Sequence, residues 1–582
     1  MRLLYLWLRA ALLHPIRSLV ALFWLLLGKR LRAHNRFSVL IEDERYRYEK
    51  WLQKNAELSE ERRAEIIEAV SQGAENKTVF RIYSEVGSVD ERPFVARTVA
   101  SLKAQLYPHW ELVLIGADAH EQFSDARIRY HNEMPEGEAG KGYLGWLRPG
   151  DLLAEHALYE CAVAAEARPA LIYTDEDQIN HKGVRRHSHF KPHWNYELLL
   201  ACDYIGGLCL VDAARLPVGI AFSVEEQARY ELLLQLGAGL AREDVSHVPH
   251  VLYHRFVRRF VGAEVVRPSL SGIDHGKALE RCTSGAAGGA KVLQGSFGHI
   301  RQNRLVGADE PLVSLIIPTR DMRRLTRNCV RSILAKTRYK NYEILIVNND
   351  SQKPATHRFL ENIARNDKVR VLDYPGEFNY SAINNFAARE AKGSYIGLIN
   401  NDTEVITPEW LGELMGQAAR EDVGAVGAKL LYSDGRIQHA GVYTGMGGLA
   451  GHGHRFLKAN DPGYFYRAHL SQYVSAVTAA CLIVRKDKFF EVGGLDETVF
   501  RVAFNDVDLC LKLQAAGYHN IYHPHAVLYH YESKSRGKDL KGAKRERYLG
   551  EAAALKAKWG TDTEIDRYFN KNLAPHREDF VL

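Results

Sequence analysis

The chain has 582 residues, a length that suggests about three to five domains. Apolar residues make up 46% and charged residues 25%, which excludes a disordered, collagenous or low-complexity protein. The formal charge of +6 resides in residues 1–32, which hold Arg2, Arg9, Arg17, Lys29, Arg30 and Arg32 and no acid; the remainder is formally neutral, which excludes a nucleic-acid-binding body with a basic stripe.

The chain opens on MRLLYLWLRAALLHPIRSLVALFWLLLGKRLR. Its longest uncharged run, residues 18–28, is shorter than the ~20 residues of a spanning helix. Lys29, Arg30 and Arg32 stand where a secretory signal would carry its small-residue cleavage site. Pro15 interrupts the pattern, so the segment reads as two short interfacial helices, apolar side toward acyl chains and cations toward anionic headgroups. A helix packed on the protein's own core is the competing reading. Residues 42–72 read as charged helix, with Ser59 as an N-cap before EERRAEIIEAV. The seven cysteines are scattered and form no C-x-x-C, so buried reduced thiols are expected rather than a disulfide framework or zinc ribbon.

Strand and helix patterns then alternate to about residue 530. From Pro311 they read LVSLIIPT (strand), RRLTRNCVRSILAKT (helix), YEILIVNND (strand), HRFLENIARN (helix), VRVLDY (strand), YSAINNFAAREAK (helix) and SYIGLINND (strand). This is the pattern of βαβ units around a parallel sheet, whose ligands sit beyond the carboxyl ends of the strands. Thr319, Asp350 and Asp402 lie at those ends. The pattern is also written twice. SLKAQLYPHWELVLI at Ser101 matches SILAKTRYKNYEILIV at Ser332, LIYTDEDQI at Leu171 matches LLYSDGRI at Leu430, and HVPHVLYHR at His247 matches YHPHAVLYHY at Tyr522. A helical, Gly-rich linker at about 276–308 joins the two copies.

The second copy holds Asn400-Asn401-Asp402 at a strand end, Asp506 and Asp508 at the head of a helix, and His530 followed by Lys534 and Arg536. With VSLIIPTRD, ILIVNND, FNYSAINNFA, LINNDTEV, GAVGAKLLYSDGRIQHAGV, VSAVTAACLIVR, VGGLDE, FNDVDLCLKL and LYHYESKSRG in this order, Pro311–Gly537 resembles bacterial family 2 glycosyltransferases of the GT-A fold, in particular the O-antigen and surface-polysaccharide, rhamnosyltransferase-like group. The resemblance implies an α/β fold of two tandem GT-A domains, each a Rossmann-like, mostly parallel sheet, with helical N- and C-terminal extensions. It divides the chain into a membrane-associating segment (1–35), a helical linker (36–76), a degenerate GT-A-like domain (77–275), a linker (276–308), a catalytic domain (309–537) and a helical tail (538–582).

It also implies an inverting, metal-dependent enzyme that moves a sugar from a nucleoside diphosphate to a lipid-linked or growing surface glycan, peripherally at the cytoplasmic face of the inner membrane, with no nucleic acid as partner. Asp506 maps to the catalytic base. Asp402 and His530 map to the ligands of a divalent metal (Mn2+ or Mg2+), with Asn400 replacing the first acid of the D-x-D motif. Pro318, Thr319, Asp350, Asn384, Asn400, Lys534 and Arg536 map to the nucleotide-sugar site. A metal would stabilise the leaving diphosphate and a carboxylate would take the acceptor's proton. The loop GMGGLAGHGH (445–454) reads as a flexible acceptor-side loop, or, through His452 and His454, as a zinc site. In the first copy Arg148-Pro149-Gly150 stands at the D-x-D position and Arg229 at that of the base, so residues 77–275 are expected to be inert. YTDED (173–177) and HFKPHWN (189–195) are either structural or hold acceptor glycan. Rival readings are a two-site polymerase and a non-catalytic glycan-binding scaffold.

Overall fold

The computed structural model describes residues 8, 11–12, 15–26, 44–55, 58–73, 78–86, 92–116, 123–134, 141–217, 222–258, 260, 274–283, 290–295, 299–304, 310–531, 542–564 and 566–582. The first copy is a sheet of β1 (Phe80–Glu85), β2 (Trp110–Ile115), β3 (Ile128–His131), β4 (Tyr143–Trp146), β5 (Leu152–Leu153), β6 (Leu171–Ile179), β7 (Arg185–His189), β8 (Cys209–Asp212) and β9 (Val245–Phe256). Its order is β3-β2-β1-β4-β8-β6-β9-β5, with β7 on β6. A hairpin of β10 (Ala290–Gln294) and β11 (Ile300–Arg304) follows the helix His275–Thr283, so the described part of the linker contains strands as well as helix.

The second copy comprises β12 (Val313–Thr319), β13 (Tyr342–Asn348), β14 (Val369–Asp373), β15 (Tyr395–Ile399), β16 (Thr403–Val405), β17 (Val423–Leu431), β18 (Ile437–His439), β21 (Gln472–Val474), β22 (Cys481–Arg485) and β23 (His519–His530), with a separate hairpin of β19 (Val442–Thr444) and β20 (Ala450–His452). Its order, β14-β13-β12-β15-β22-β17-β23-β16, repeats the first sheet strand for strand, and each pairing has the same sense. β12, β13 and β15 are parallel neighbours, and β22 runs against β15 and β17. Leu315–Ile317, Ile344–Val347 and Leu398–Ile399 are fully buried, the continuous apolar runs of a sheet covered on both faces.

The register corrects one of the sequence matches. Tyr173 on β6 pairs with His247 as Gly427 on β17 pairs with Tyr522, so LIYTDEDQI is the counterpart of residues 425–433 rather than of LLYSDGRI. The expected helical tail is helical over Gly542–Trp559 and continues in turns to Leu582. Ser59 caps its helix as expected, its Oγ accepting from the Arg62 N–H at 3.1 Å.

The copies dock through HFKPHWN. The Asn195 side chain donates to the Tyr473 carbonyl (3.0 Å) and accepts the Tyr473 N–H (2.9 Å), pairing with the edge of β21 as another strand would. Arg420 reaches Glu197 across the same seam at 2.6 Å. The tail seals it. Asn570 donates to Asp175 and to the Lys191 carbonyl, both at 2.8 Å, and Asp566 accepts from the Thr444 N–H at 2.6 Å.

Candidate active site

The carboxyl ends of β12, β13 and β15 open on one side of the second sheet. At the end of β15, Asn400–Thr403 form a turn closed by Thr403 N–H to the Asn400 carbonyl at 3.2 Å. That turn holds Asp402, 3% exposed, with its Oδ1 3.3 Å from Nε2 of His530, the last residue of β23. Pairing of Thr403 with His530 on β16 and β23 fixes the two opposite each other. His530 Nδ1 lies 3.3 Å from Gln438 Oε1, and Asn400 Nδ2 lies 3.3 Å from His530 Nε2.

Tyr380 carries the arrangement further. Its single O–H lies between two acceptors, Asn400 Oδ1 and the Ala479 carbonyl, each 3.2 Å away, and is shared by them. The Ala479 N–H in turn donates to Asp506 Oδ2 at 3.0 Å, and the Val507 N–H donates to Asp506 Oδ1 at 2.9 Å. Burial pushes the Asp506 carboxyl above its usual value, and these N–H donors partly oppose that. A base with a raised pKa is suited to taking a proton nearer neutral pH. Asp506 is therefore linked to Asn400 and His530 through Ala479 and Tyr380, with Asp402 standing 3.3 Å from His530 Nε2 beside them.

The loop that presents Asp506 is braced by the helix Gly542–Trp559. Phe504, the N-cap of the helix Asn505–Ala515, has φ +59°, a left-handed conformation that costs a non-glycine residue about 1–2 kcal/mol. Glu551 holds the preceding turn, accepting from Val502 N–H (3.1 Å) and Ala503 N–H (2.8 Å). Trp559 Nε1 (2.9 Å) and Lys558 Nζ (2.7 Å) hold Asp508, which is fully buried and so serves as a structural anchor.

The other expected site residues divide. Thr319 is buried at the end of β12, its Oγ1 2.6 Å from Thr326 Oγ1 and accepting from Asn401 Nδ2 at 3.2 Å, so it borders the turn of Asp402; Pro318 precedes it on the strand. Asp350, beyond β13, is exposed, has φ +54°, and is met by Gln352 Nε2 at 2.9 Å and Arg320 at 3.7 Å. Asn384 is buried and donates to the Tyr380 carbonyl of its own helix at 2.7 Å; its Oδ1 has no partner among the described residues. Lys534 and Arg536 lie outside the described residues. Tyr380, Gln438 and Glu551 were not singled out by sequence. Only Tyr380 had a local signal, since Asn379 caps its helix (Oδ1 to Ala382 N–H, 3.1 Å) and fixes Tyr380 in the first turn.

The 445–454 loop is not a free flap. Its glycines supply positive φ at Gly445 (+77°), Gly447 (+67°) and Gly448 (+75°), and the tail pins it through Gly447 N–H to Pro575 (2.8 Å) and His454 N–H to Glu578 (2.6 Å). The imidazoles of His452 and His454 part company. His452 meets His439 at 2.9 Å, and His454 stacks on Phe580 with ring centres 4.4 Å apart. Burial holds His439 down at about 3, so it is neutral. Among the described residues no group of three or more His, Cys, Asp or Glu is placed to hold a metal. Asp402 and His530 alone offer an oxygen and a nitrogen toward one point, which suits an ion that takes its other ligands from substrate phosphates and water.

The first copy repeats the backbone without the chemistry. Asp151 N–H to the Arg148 carbonyl (3.1 Å) closes the same turn as Thr403 to Asn400, which sets Arg148 at the place of Asn400 and Gly150 at that of Asp402. The first helical hydrogen bonds, Arg229 to Glu225 and Asp508 to Phe504, both 2.9 Å, align Arg229 with Asp508. The residue at the place of Asp506 is thus Gln227, not Arg229. The polar residues of YTDED face inward: Asp175 takes Lys191 N–H (2.9 Å) and His247 (2.8 Å), and Asp177 takes Tyr48 (2.5 Å), Arg185 (2.6 Å) and His254 (2.7 Å).

Residues 314–492 match the family described as glycosyl transferase family 2. The chain is 38% identical over 549 residues to an uncharacterized protein of Sinorhizobium fredii, y4gI, which covers 90% of this chain and 60% of that one. It is 35% identical over 488 residues to the O-antigen biosynthesis protein RfbC of Myxococcus xanthus, covering 77% of this chain and 37% of that one. The chain thus spans less than two thirds of either relative. A solved mannosyltransferase from Pyrobaculum calidifontis, in complex with GDP-Man and Mn2+, aligns with a TM-score of 0.34 and 17% identity over 46% of this chain and 69% of that chain.

Proposed function

The chain carries a family 2 glycosyltransferase domain over residues 314–492, and from that premise we propose that its second copy transfers a sugar, with inversion, from a nucleoside-diphosphate sugar to a lipid-linked or growing surface polysaccharide. The observation that carries this reading is the path from Asp402 and His530 through Asn400, Tyr380 and Ala479 to Asp506. Asp506 accepts the proton of the attacking hydroxyl, and attack opposite the leaving group inverts the sugar carbon. Asp402 and His530 would hold a divalent metal (Mn2+ or Mg2+), whose chemistry is to neutralise the charge that develops on the departing diphosphate. In this reading Pro318, Thr319 and Asp350 would meet the nucleoside, Asn384 and Asn400 would belong to the same donor site, and the sequence motif assigns Lys534 and Arg536, outside the described residues, to the diphosphate. The relative named for O-antigen biosynthesis supports a surface polysaccharide as the product.

In this reading residues 309–537 are the catalytic domain and 77–275 an inert copy, flanked by 1–35, 36–76, 276–308 and 538–582. Residues 1–32 rest on the cytoplasmic face of the membrane. The helix Pro15–Leu26 supports that contact, with Ile16, Leu19 and Leu26 exposed at 76%, 65% and 78%. Among the described residues no helix is long and apolar enough to cross a membrane. Thermal-shift screening of nucleoside-diphosphate sugars with Mn2+ identifies the donor, and the shift should vanish in Asp402→Ala; an equal shift in that variant, or with chelator, overturns the metal assignment. Liposomes with anionic lipid should float the full chain but not one lacking residues 1–32; equal flotation removes the anchor.

A further inference from the structure

The cleft of the first copy is not empty of chemistry. Arg148, on the turn after β4, Arg229, on the helix Glu226–Gly237, and Arg255, at the end of β9, converge at the carboxyl ends of β1 and β4, where the second copy keeps Asn400 and Asp402. Burial, and next the charge of Arg255, with Arg229 a smaller contributor, pull the Arg148 guanidinium below its usual value, as expected of cations crowded together. Four carboxylates face them: Glu226, Asp203, Glu176 and Asp151. Two of these are already engaged. Glu176 holds the Lys191 ammonium at 3.0 Å, and Asp151 accepts from Tyr253 and from the Phe256 N–H at 2.7 Å. Glu226 pairs with Arg148, and Asp203 accepts from Arg229 at 3.4 Å. Arg255 is left with Glu176 at 3.8 Å, beyond hydrogen-bond reach, and no hydrogen bond from its guanidinium forms among the described residues. Arg229, 5% exposed, buries its Nε without a hydrogen-bond partner among the described residues.

A guanidinium carries five N–H donors and matches the oxygens of phosphate in pairs. Buried donors left unmade are costly, so a cleft that keeps them open is built to be filled. Arg148, about one third exposed, stands at its outer edge, and Trp146, stacked on Phe222 at 4.5 Å, walls its floor beside Arg229. We propose that this cleft binds a diphosphate without a metal, the three guanidinium groups standing in for the divalent ion of the second copy. The diphosphate could belong to a nucleotide or to a polyprenyl lipid; the chemistry of recognition is the same.

The test is calorimetric titration of inorganic pyrophosphate into the full chain carrying Asp402→Ala, in excess chelator, so that the second copy is silenced. Saturable binding of one pyrophosphate per chain is expected. It should weaken about 10-fold or more in Arg255→Gln and in Arg148→Gln, the loss of one charge-assisted contact. Arg148 is partly exposed, so its variant keeps the test valid if Arg255→Gln does not fold. UDP and farnesyl diphosphate serve as competitors, and the one that displaces pyrophosphate at lower concentration identifies the source. No saturable binding in chelator, binding lost on Asp402→Ala alone, or binding that survives both arginine variants overturns the proposal. None of these outcomes touches the metal-dependent donor site, which is read with metal present.

Discussion

In the first copy the turn after β4 reads Arg148-Pro149-Gly150; in the second the turn after β15 reads Asn400-Asn401-Asp402. Both are closed by the same backbone hydrogen bond and both lead to a short strand that pairs with a long one. The place of His530, which faces Asp402, is taken in the first copy by Arg255, because Leu152 pairs with His254 where Glu404 pairs with Tyr529. His254, at the place of Tyr529, turns to Asp177, which also holds Tyr48 and Arg185. A duplicated fold is free to change at its mouth. The sheet is fixed by its apolar strands, and the polar residues at its mouth can be reassigned from chemistry to cohesion without altering a strand.

The largest contrast should come from replacing the side chain at the corresponding helix position in each copy. Asp506→Asn should lower transfer by about 10²–10⁴-fold, the range a positioned general base supplies. Gln227→Ala, at the same place in the first copy, should leave the rate within about twofold. Single-turnover transfer to a glycan acceptor measures both; equal effects would show that the copies share the work.

The second expected effect tests whether the first copy serves as scaffold. Asn195 makes two hydrogen bonds to the backbone of Tyr473 and caps its own helix at Leu198 N–H (3.1 Å). Asn195→Ala leaves buried backbone groups on β21 unpaired and should destabilise the chain by about 2–4 kcal/mol. Chemical denaturation reads this, and the two copies should then unfold in separate steps. A single unshifted transition would mean that the seam contributes nothing.

Next in size is the brace behind Asp506. Glu551→Ala frees the N–H groups of Val502 and Ala503 and lets the left-handed Phe504 relax. It should lower kcat by about 10-fold with little change in KM for the donor, because misplacing a base affects the transition state more than binding. Glu551→Gln retains one acceptor oxygen and should restore part of the rate. Parallel changes in KM would point to a binding role instead.

Much of this contrast was legible in the sequence, and the exceptions have physical causes. The parallel strands announce themselves because β12, β13 and β15 are buried on both faces and read as unbroken apolar runs. The set Asp402, Asp506 and His530 was legible because strand ends and a helix start flank it. LLYSDGRI lies five residues beyond the true counterpart of LIYTDEDQI because similar local composition, a strand running into a turn, recurs at different depths of a sheet. Arg229 lies at the place of Asp508 rather than of Asp506 by a count that only the helix's first hydrogen bond fixes. The glycines of 445–454 read as freedom, whereas at Gly445, Gly447 and Gly448 they serve positive φ. The bracing by Glu551 and the tail joins residues tens to hundreds of positions apart, and no periodicity records such contacts.

The smallest expected effect concerns pH. Burial raises the pKa of Asp506, so the base is protonated at pH values where an ordinary carboxylate, near 4, would be ionised. The acid limb of kcat/KM should therefore lie above that range, with the rate falling about tenfold per pH unit below it. The sign for stability is opposite. A carboxyl whose folded pKa is raised stabilises the fold only while protonated, and that contribution is lost as pH rises through the folded value. Asp506 thus works against the fold at the pH where it works for catalysis, while Gln227, at its place in the first copy, carries no such conflict. A pH–rate profile of the full chain decides the point: an acid limb at the ordinary carboxylate value would mean that the cleft is wet enough around Asp506 to cancel its burial, and the hydrogen bonds from Ala479 and Val507 would then dominate its charge.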